Sequence, residues 1–597
     1  MPFTPKYTDL VSMLQKSVEA FADRPAFGFR DANGWSWIDY RSFARLVDRC
    51  RAGLASLGIG AGDRVAVISD NRLEWAVAAY ASYSLSAVFV PMYKIQIEKE
   101  WKYILQDSEA KLCFVGDETI DNNVKAFRAD LHSLEHVVKF YAEADDESSY
   151  RYLLETGASH RLEAKCPEKS TIASIIYTSG VRGNPKGVVL THYNLAGNCC
   201  AVAETLLGSR IEYRTLALLP WAHVYGGAIE INTMIAIGGA IAISDNREDI
   251  LDYLREVKPT LLFTVPRIWS RLCSTSLKQL VSRPNVIQTL YQSGMDIRSK
   301  QTNQQPTSLS NRIKLFLADK LVFSKIRESF GGRLSFVVCG GAALSEEVSV
   351  FSRNVGIPVY QGYGMTECGG GATYSNAREN KPFSIGKPLP GVTIMLDKKV
   401  EGASDTEGEI IIFGPGVMLG YYNLPDETKQ VLTEDGGIRS GDIGHMDEDG
   451  FLYITGTLKE IFKLANGSYI APAPLEEAIQ RSPYIEQCFI YGVNQSYPVA
   501  IIVPDIMALL SWAKGVGLSL FIETLLSDHK TRALIMEEIA SCSRNFKSFE
   551  RIRDFALIST KFSVADGTVT PTLEYKRRAI VEKYQNVLQK MYQYRNG

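Results

Sequence analysis

The stretch SIIYTSGVRGNPKGVVLTH, residues 174–192, decides the fold. An apolar, β-branched run feeds a short loop, and a second apolar run follows. Gly180, Gly183 and Gly187 let the backbone turn tightly and leave amide N–H groups free to face an anion. Thr178 and Ser179 add hydroxyls, and Lys186 adds a mobile positive charge. The spacing is not that of a Walker A loop, because Pro185 stands where a glycine must precede the lysine. Read by itself the stretch is either a phosphate-holding loop or a plain strand-to-helix turn.

Outward from this loop, strand-like and helix-like runs alternate. RVAVISD (64–70), KLCFVGD (111–117), RTLALLPW (214–221), AIAISD (240–245), TLLFTVP (260–266) and LSFVVCGG (334–341) read as short buried strands. That alternation predicts an α/β fold with largely parallel sheets. Past residue 380 the frequent Gly and Asp turns predict a small antiparallel or barrel-like subdomain to about residue 455. Residues 456–597 then form a compact mixed α+β unit. The expected organisation is an N-terminal domain, 1–455, with two mostly parallel sheet/helix subdomains and the β-rich one, and a smaller C-terminal domain. The polar stretch 296–312 reads as a surface excursion.

Bulk properties narrow the class. At 597 residues the chain exceeds one ordinary domain, and 46% hydrophobic with 22% charged residues is ordinary for a globular protein. A net charge of −2 gives no reason to expect a nucleic-acid partner. The ten cysteines show no C-x-x-C spacing, and Cys199–Cys200 are too close for an ordinary disulfide, so reduced thiols in the cytoplasm are expected. The seven histidines never take a metal-ligand spacing. The longest apolar run, 76–92, is broken by serines and tyrosines and reads as a buried helix followed by a strand, not as a membrane span. Peripheral contact with a membrane stays open.

Two further clusters carry chemistry. VVCGGAALSEE (337–347) puts Gly340, Gly341 and Ala342 just past a strand, where a flat ring can slide against bare backbone. In YQGYGMTECGGG (360–371), Tyr363 suits stacking on a base, with Gly364 beside it. Thr366 suits a phosphate, and Glu367 suits Mg²⁺ whose shell the phosphates complete. A solvated turn is the plainer alternative. In RSGDIGHMDEDGFLYITG (439–456), Asp442 is an acceptor suited to two ribose hydroxyls.

The three segments, in this order, resemble the adenylate-forming superfamily of acyl- and aryl-CoA synthetases, firefly luciferase and peptide-synthetase adenylation domains. Four more stretches resemble long-chain fatty acyl-CoA synthetases, most of all the bubblegum-type branch: 91–115, LPWAHVYGG (219–227), FTVPRIWSRL (263–272) and FKLANGSYIAPAPLEEAI (462–479). The resemblance implies a fatty carboxylate that attacks the α-phosphate of ATP, with Mg²⁺, to give acyl-AMP. Coenzyme A then displaces AMP. It also implies that His223 sits beside the carboxylate, with a backbone-satisfied core histidine as the alternative. Trp269 would line an acyl tunnel or be plain core. The C-terminal domain would pivot near Gly456, and Lys463 would belong to its thiol-step face.

Four positions depart from that family. Val181 and Arg182 replace two threonines of the loop, Thr457 stands where the branch has arginine, and Glu574 occupies the place of the adenylation lysine. A carboxylate aimed at a triphosphate is repulsive. Lys576, two residues on, shares a face with Glu574 in an extended segment but would need a backbone slide to substitute for the missing lysine. Two readings therefore stand side by side: a working long-chain acyl-CoA ligase, and a ligase fold that binds nucleotide or acyl groups with little turnover. A third is a ligase whose acceptor is not coenzyme A.

Overall fold

In the computed structural model the strand Ile172–Thr178 is not followed by a helix. The chain turns back and pairs antiparallel as Lys186–Thr191, with Tyr177 opposite Gly187 and Thr178 opposite Lys186. The loop is therefore a hairpin tip, which replaces the strand-to-helix alternative. The structure describes residues 3–31, 34–160, 162–178, 184–206, 212–244, 249–281, 285–302, 308–342, 344–400, 406–458, 460–466, 468–571 and 574–593.

The hairpin forms one side of a seven-stranded sheet. Its order is Gly420–Tyr421, Lys186–Thr191, Ile172–Thr178, Val88–Met92, Arg64–Ile68, Leu112–Val115 and His136–Lys139. The strands from Ile172–Thr178 onward run parallel. Val65, Ala66, Val67 and Ile68 are all fully buried, the near-continuous apolar run that a sheet covered on both faces requires. The 76–92 run is the end of the helix Leu73–Tyr83 and the whole of Val88–Met92. Pro91 sits inside that strand. It is tolerated because the pairing toward Ile172–Thr178 is confined to Phe89 opposite Ser174.

A second subdomain has a four-stranded sheet (Gly34–Asp39, Pro25–Asp31, Ala240–Ile243, Arg214–Ala217) and a five-stranded one (Leu261–Thr264, Phe336–Cys339, Val359–Tyr363, Thr373–Tyr374, Lys387–Pro388). In the first, only Gly34–Asp39 pairs antiparallel; in the second, the first three strands are parallel and the last two pairings antiparallel. The third subdomain is antiparallel throughout: Thr393–Asp397, Gly408–Phe413, Ile438–Met446 and Leu452–Thr457. Gly456, the expected pivot, lies in this ladder opposite Ile443, and the Leu458 N–H still reaches the Gly441 carbonyl at 2.6 Å.

Beyond it the chain builds separate cores around Leu475, Ile502 and Ile535 and around Phe489, Ile501 and Ile580. They cover a three-stranded sheet of Ile485–Tyr491, Val499–Pro504 and Asp554–Leu557. The fold class is the mixed α/β one that the sequence predicts. The polar stretch 296–312 lies mostly at the surface, as expected, but is helical at both ends. It contains the end of the helix Asn285–Thr302 and the start of Leu309–Ala318, with 303–307 outside the described residues. Among the described residues no helix is long and apolar enough to cross a membrane.

Candidate active site

The hairpin brings Lys186 and Gly187 to the base of the loop. A Cβ on Gly187 would lie 2.7 Å from Ile175 Cγ2, so the close strand crossing requires glycine. The short strand Gly420–Tyr421 pairs with Val189 and Val188, and the Tyr422 N–H donates to the Gly187 carbonyl at 2.7 Å. This pairing holds the Tyr421 ring 4.9 Å from Lys186 Nζ. On its other side the Tyr421 hydroxyl donates to Glu367 Oε1 at 2.7 Å. Burial and the Glu367 carboxylate push the Tyr421 pKa up, so the phenol stays protonated. Thr178 ends its strand beside Lys186. Ser179, Gly180 and Gly183, with Val181 and Arg182, lie outside the described residues.

Glu367 is fixed by backbone as well. Thr366, Glu367 and Cys368 form a buried 3₁₀ turn that Gly369 ends at φ 71°. The Glu367 carbonyl accepts from the Met418 N–H at 2.9 Å. Gly364 is needed because a Cβ there would lie 2.5 Å from the Gly370 carbonyl oxygen. Tyr421 is the member of this cluster that sequence reading missed. It is 54 positions from Glu367 in the chain, and no local pattern marks it.

Asp442 joins a second group. Its Oδ2 accepts from the Tyr363 hydroxyl at 2.7 Å and its Oδ1 from the Thr457 hydroxyl at 2.9 Å. Thr457, at the family's arginine position, thus contacts the carboxylate expected to hold ribose. Burial, and then the nearby Asp442 charge, raise the Tyr363 pKa.

Nearby, Gly340 ends the strand Phe336–Cys339, and its N–H bonds the Thr264 carbonyl at 3.1 Å. A Cβ on it would approach the Gly362 carbonyl oxygen to 3.1 Å. Gly341, at φ 83°, and Ala342 are exposed and offer bare backbone.

His223 sits in the turn before a π-helix, Tyr225–Glu230, whose Tyr225 hydroxyl bonds the Val338 carbonyl at 3.1 Å. That bond ties His223 to the Gly340 strand. The Tyr225 N–H donates to His223 Nδ1 at 3.2 Å, so the neutral ring carries its proton on Nε2. Burial pushes its pKa down to about 4. The backbone-satisfied alternative therefore holds for Nδ1, while Nε2 remains a donor. Trp269 is plain core, not a tunnel wall. It is fully buried, its Nε1 donates to Ser352 Oγ at 2.8 Å, and its ring packs on Phe330 at 5.1 Å.

The C-terminal unit carries the other expected residues. Lys463 is exposed on the hairpin of Phe462–Lys463 and Tyr469–Ile470, its Nζ 5.0 Å from the Tyr469 ring. Lys576 Nζ lies 3.1 Å from Glu100 Oε1 in the N-terminal helix Glu98–Asp107. The segment around it is pinned: Thr570 N–H to the Glu574 carbonyl at 2.8 Å, Glu574 N–H to Thr570 Oγ1 at 3.0 Å, and Lys576 N–H to the Thr568 carbonyl at 2.9 Å. Tyr575 between them is wedged edge-on against Phe562 at 5.4 Å. Glu574 and Lys576 share the face toward the N-terminal domain. The Glu574 charge acts there on Tyr93, whose pKa rises mainly through burial. Arg577 anchors the segment from behind, bidentate to Glu476 at 2.6 and 3.0 Å and 3.2 Å from Glu460.

Known proteins match this chain from end to end. The family model described as AMP-binding enzyme matches residues 14–422, and its C-terminal-domain model matches 459–596. The long-chain-fatty-acid–CoA ligase FadD15 of Mycobacterium tuberculosis is 31% identical over 94% of this chain and 92% of its own. Human long-chain-fatty-acid–CoA ligase 1 is 29% identical over 98% and 86%. In fold, the anthranilate CoA ligase AuaEII with anthranoyl-AMP aligns at TM-score 0.73 and 18% identity, covering 98% of this chain and 99% of that one. A Mycobacterium tuberculosis fatty acyl CoA synthetase aligns at TM-score 0.64 and 21% identity, covering 98% and 100%. With both family models in register over nearly its whole length, the chain belongs to the AMP-binding enzyme family.

Proposed function

We propose that this protein is an AMP-forming long-chain fatty acid–coenzyme A ligase. The fatty carboxylate attacks the α-phosphate of ATP to give acyl-AMP and pyrophosphate, and the thiol of coenzyme A then displaces AMP. The observation that carries the proposal is the Lys186–Tyr421–Glu367 cluster at the hairpin base, in a chain whose relatives are named as such ligases. It joins the cation, the carboxylate and the loop that charge development at phosphorus requires.

In this reading Lys186 and Thr178, with Ser179, Gly180, Gly183 and Gly187, cradle the phosphates, and Thr366 bonds one of them. Glu367 holds Mg²⁺. Its Oε1 takes the Tyr421 hydroxyl, while Oε2 makes no hydrogen bond among the described residues. No group of three or more His, Cys, Asp or Glu is arranged for a metal among those residues. A single carboxylate oxygen fits Mg²⁺, which takes its other ligands from phosphate and water. When bound, that ion neutralises phosphate charge.

Tyr363 and the Gly340–Ala342 backbone sandwich the base, with Gly364 leaving it room, and Asp442 bonds the ribose. His223 donates from Nε2 to the fatty carboxylate. Residues 1–455 and 456–597 act as the fixed and rotating domains. Lys576 serves the adenylation step, and Lys463 serves thiol transfer after rotation.

The test is turnover. Purified protein is incubated with ATP, Mg²⁺, coenzyme A and a series of medium- to very-long-chain fatty acids, and AMP and acyl-CoA are followed. ATP-dependent acyl-CoA is expected. Bound nucleotide without either product would overturn the proposal in favour of a binding protein.

A further inference from the structure

The helix Leu309–Ala318 carries its apolar face outward. At 3.6 residues per turn, Ala318 and the half-buried Asn311 and Leu315 fall on one side. Leu309, Ile313, Phe316 and Leu317 fall on the other, and these side chains are 74, 56, 64 and 42% exposed. A surface helix of a globular protein normally turns such a stripe inward. Leu321, in the turn that follows, is 50% exposed as well.

The charge around the stripe has one sign. Arg312 borders it on one side and Lys314 on the other, and Lys320 follows at its end; all three are exposed. The helix itself has no acidic residue. Asp319, the nearest acid along the chain, is already held by Arg327 at 3.0 Å and Arg298 at 3.4 Å. Among the described residues Arg312, Lys314 and Lys320 make no ion pair. A second copy of the chain docked face to face would set these cations against one another, so charge opposes self-association here.

We propose that this helix face docks on an anionic lipid surface. The four apolar side chains enter the acyl boundary, and Arg312 and Lys314 lie at headgroup level on either margin. This is the arrangement that lets an in-plane helix combine apolar burial with attraction to anionic lipid. The inference does not depend on the proposed reaction.

Vesicle flotation of the full chain tests it, with phosphatidylcholine vesicles and with phosphatidylcholine–phosphatidylglycerol vesicles at low and high salt. The parent chain is expected to float with the anionic vesicles and to lose binding as salt rises. Ile313→Asp/Phe316→Asp is expected to lower the partition at least about tenfold. Arg312→Gln/Lys314→Gln is expected to remove the preference for anionic over neutral vesicles. Circular dichroism and thermal melting confirm that each variant is folded. Leu309→Gln/Leu317→Gln repeats the apolar test if the first pair is not. Failure of the parent to float with either vesicle overturns the proposal, as does unchanged flotation of a folded apolar variant. A dimeric parent that does not float and becomes monomeric on Ile313→Asp/Phe316→Asp overturns it in favour of a second copy.

Discussion

Lys576 and Glu100 join the two parts of the chain across 476 positions, Nζ to Oε1 at 3.1 Å, with only 26 and 18% of their side chains exposed. Glu574 shares the face of Lys576, and the Thr570–Glu574 and Thr568–Lys576 hydrogen bonds fix that register. One short segment therefore offers the N-terminal domain a cation and a carboxylate side by side. For a triphosphate these act in opposite directions.

Reversing the charge at Glu574 separates them. Glu574→Lys is expected to raise ATP–pyrophosphate exchange by about tenfold or more, and Lys576→Ala to lower it by roughly 10²-fold. Exchange unaltered in both variants would show that neither side chain meets the reacting phosphates.

Tyr421 tests the metal-side cluster without touching the carboxylate. Tyr421→Phe deletes the 2.7 Å bond to Glu367 Oε1 and keeps the ring beneath Lys186. Loss of a partner that orients a ligating carboxylate typically costs about 10- to 100-fold in metal affinity or activity. The expected result is a rise of that size in the Mg²⁺ concentration for half-maximal exchange, with little change in thermal stability. An unshifted Mg²⁺ titration would remove Tyr421 from the site.

What the sequence made legible follows from physics that acts locally. Strands such as Arg64–Ile68 are buried on both faces and so read as unbroken apolar runs. Lys186, Glu367 and Asp442 stand in glycine-rich segments where few other residues serve. What was hidden depends on pairing across the chain. A Gly/Pro loop precedes a helix or a hairpin equally well, and only the ladder from Tyr177 to Gly187 decides. Tyr421 reaches Glu367 because Gly420 pairs with Val189, a register no window along the chain contains. The polar side chains of 296–312 mark it as surface but do not reveal the helix ends there, because polar residues sit equally well on exposed helices and in loops.

Thr457 and Asp442 give a test of nucleotide binding. Asp442→Asn removes the charge but keeps the shape that Tyr363 and Thr457 bond. Hydrogen bonds to a charged group contribute roughly 1.5–3 kcal/mol, so the KM for ATP is expected to rise by about 10- to 100-fold with the KM for the fatty acid little changed. A rise in the fatty-acid KM alone would place Asp442 at the wrong substrate.

Trp269 distinguishes core from tunnel. It is fully buried, bonded to Ser352 and packed on Phe330, so Trp269→Ala is expected to lower unfolding stability by about 3–5 kcal/mol through cavity formation. The order of preference among fatty-acid chain lengths should stay the same in the surviving folded protein. A shortened or lengthened preference at unchanged urea midpoint would make the residue part of an acyl channel.

Two histidines give the fold a calculable acid sensitivity. His192 is fully buried with neither ring nitrogen hydrogen-bonded among the described residues, and burial holds both it and His223 at a pKa of about 4, below the ordinary 6.5. A depressed histidine pKa means that the unfolded chain takes up the proton first. The neutral-ring advantage is complete above pH 6.5 and drains away as pH falls toward 4, at about 1.36 kcal/mol per unit of difference. For His192 alone that is roughly 3 kcal/mol over the window. His192→Leu removes the titrating ring, so the loss of urea stability between neutral pH and about pH 4.5 should shrink by about that amount. His223, satisfied at Nδ1 by the Tyr225 N–H, continues to contribute its share. An acid-induced loss that His192→Leu leaves unchanged would mean that the His192 ring is already charged in the folded protein, or that other groups govern this pH range.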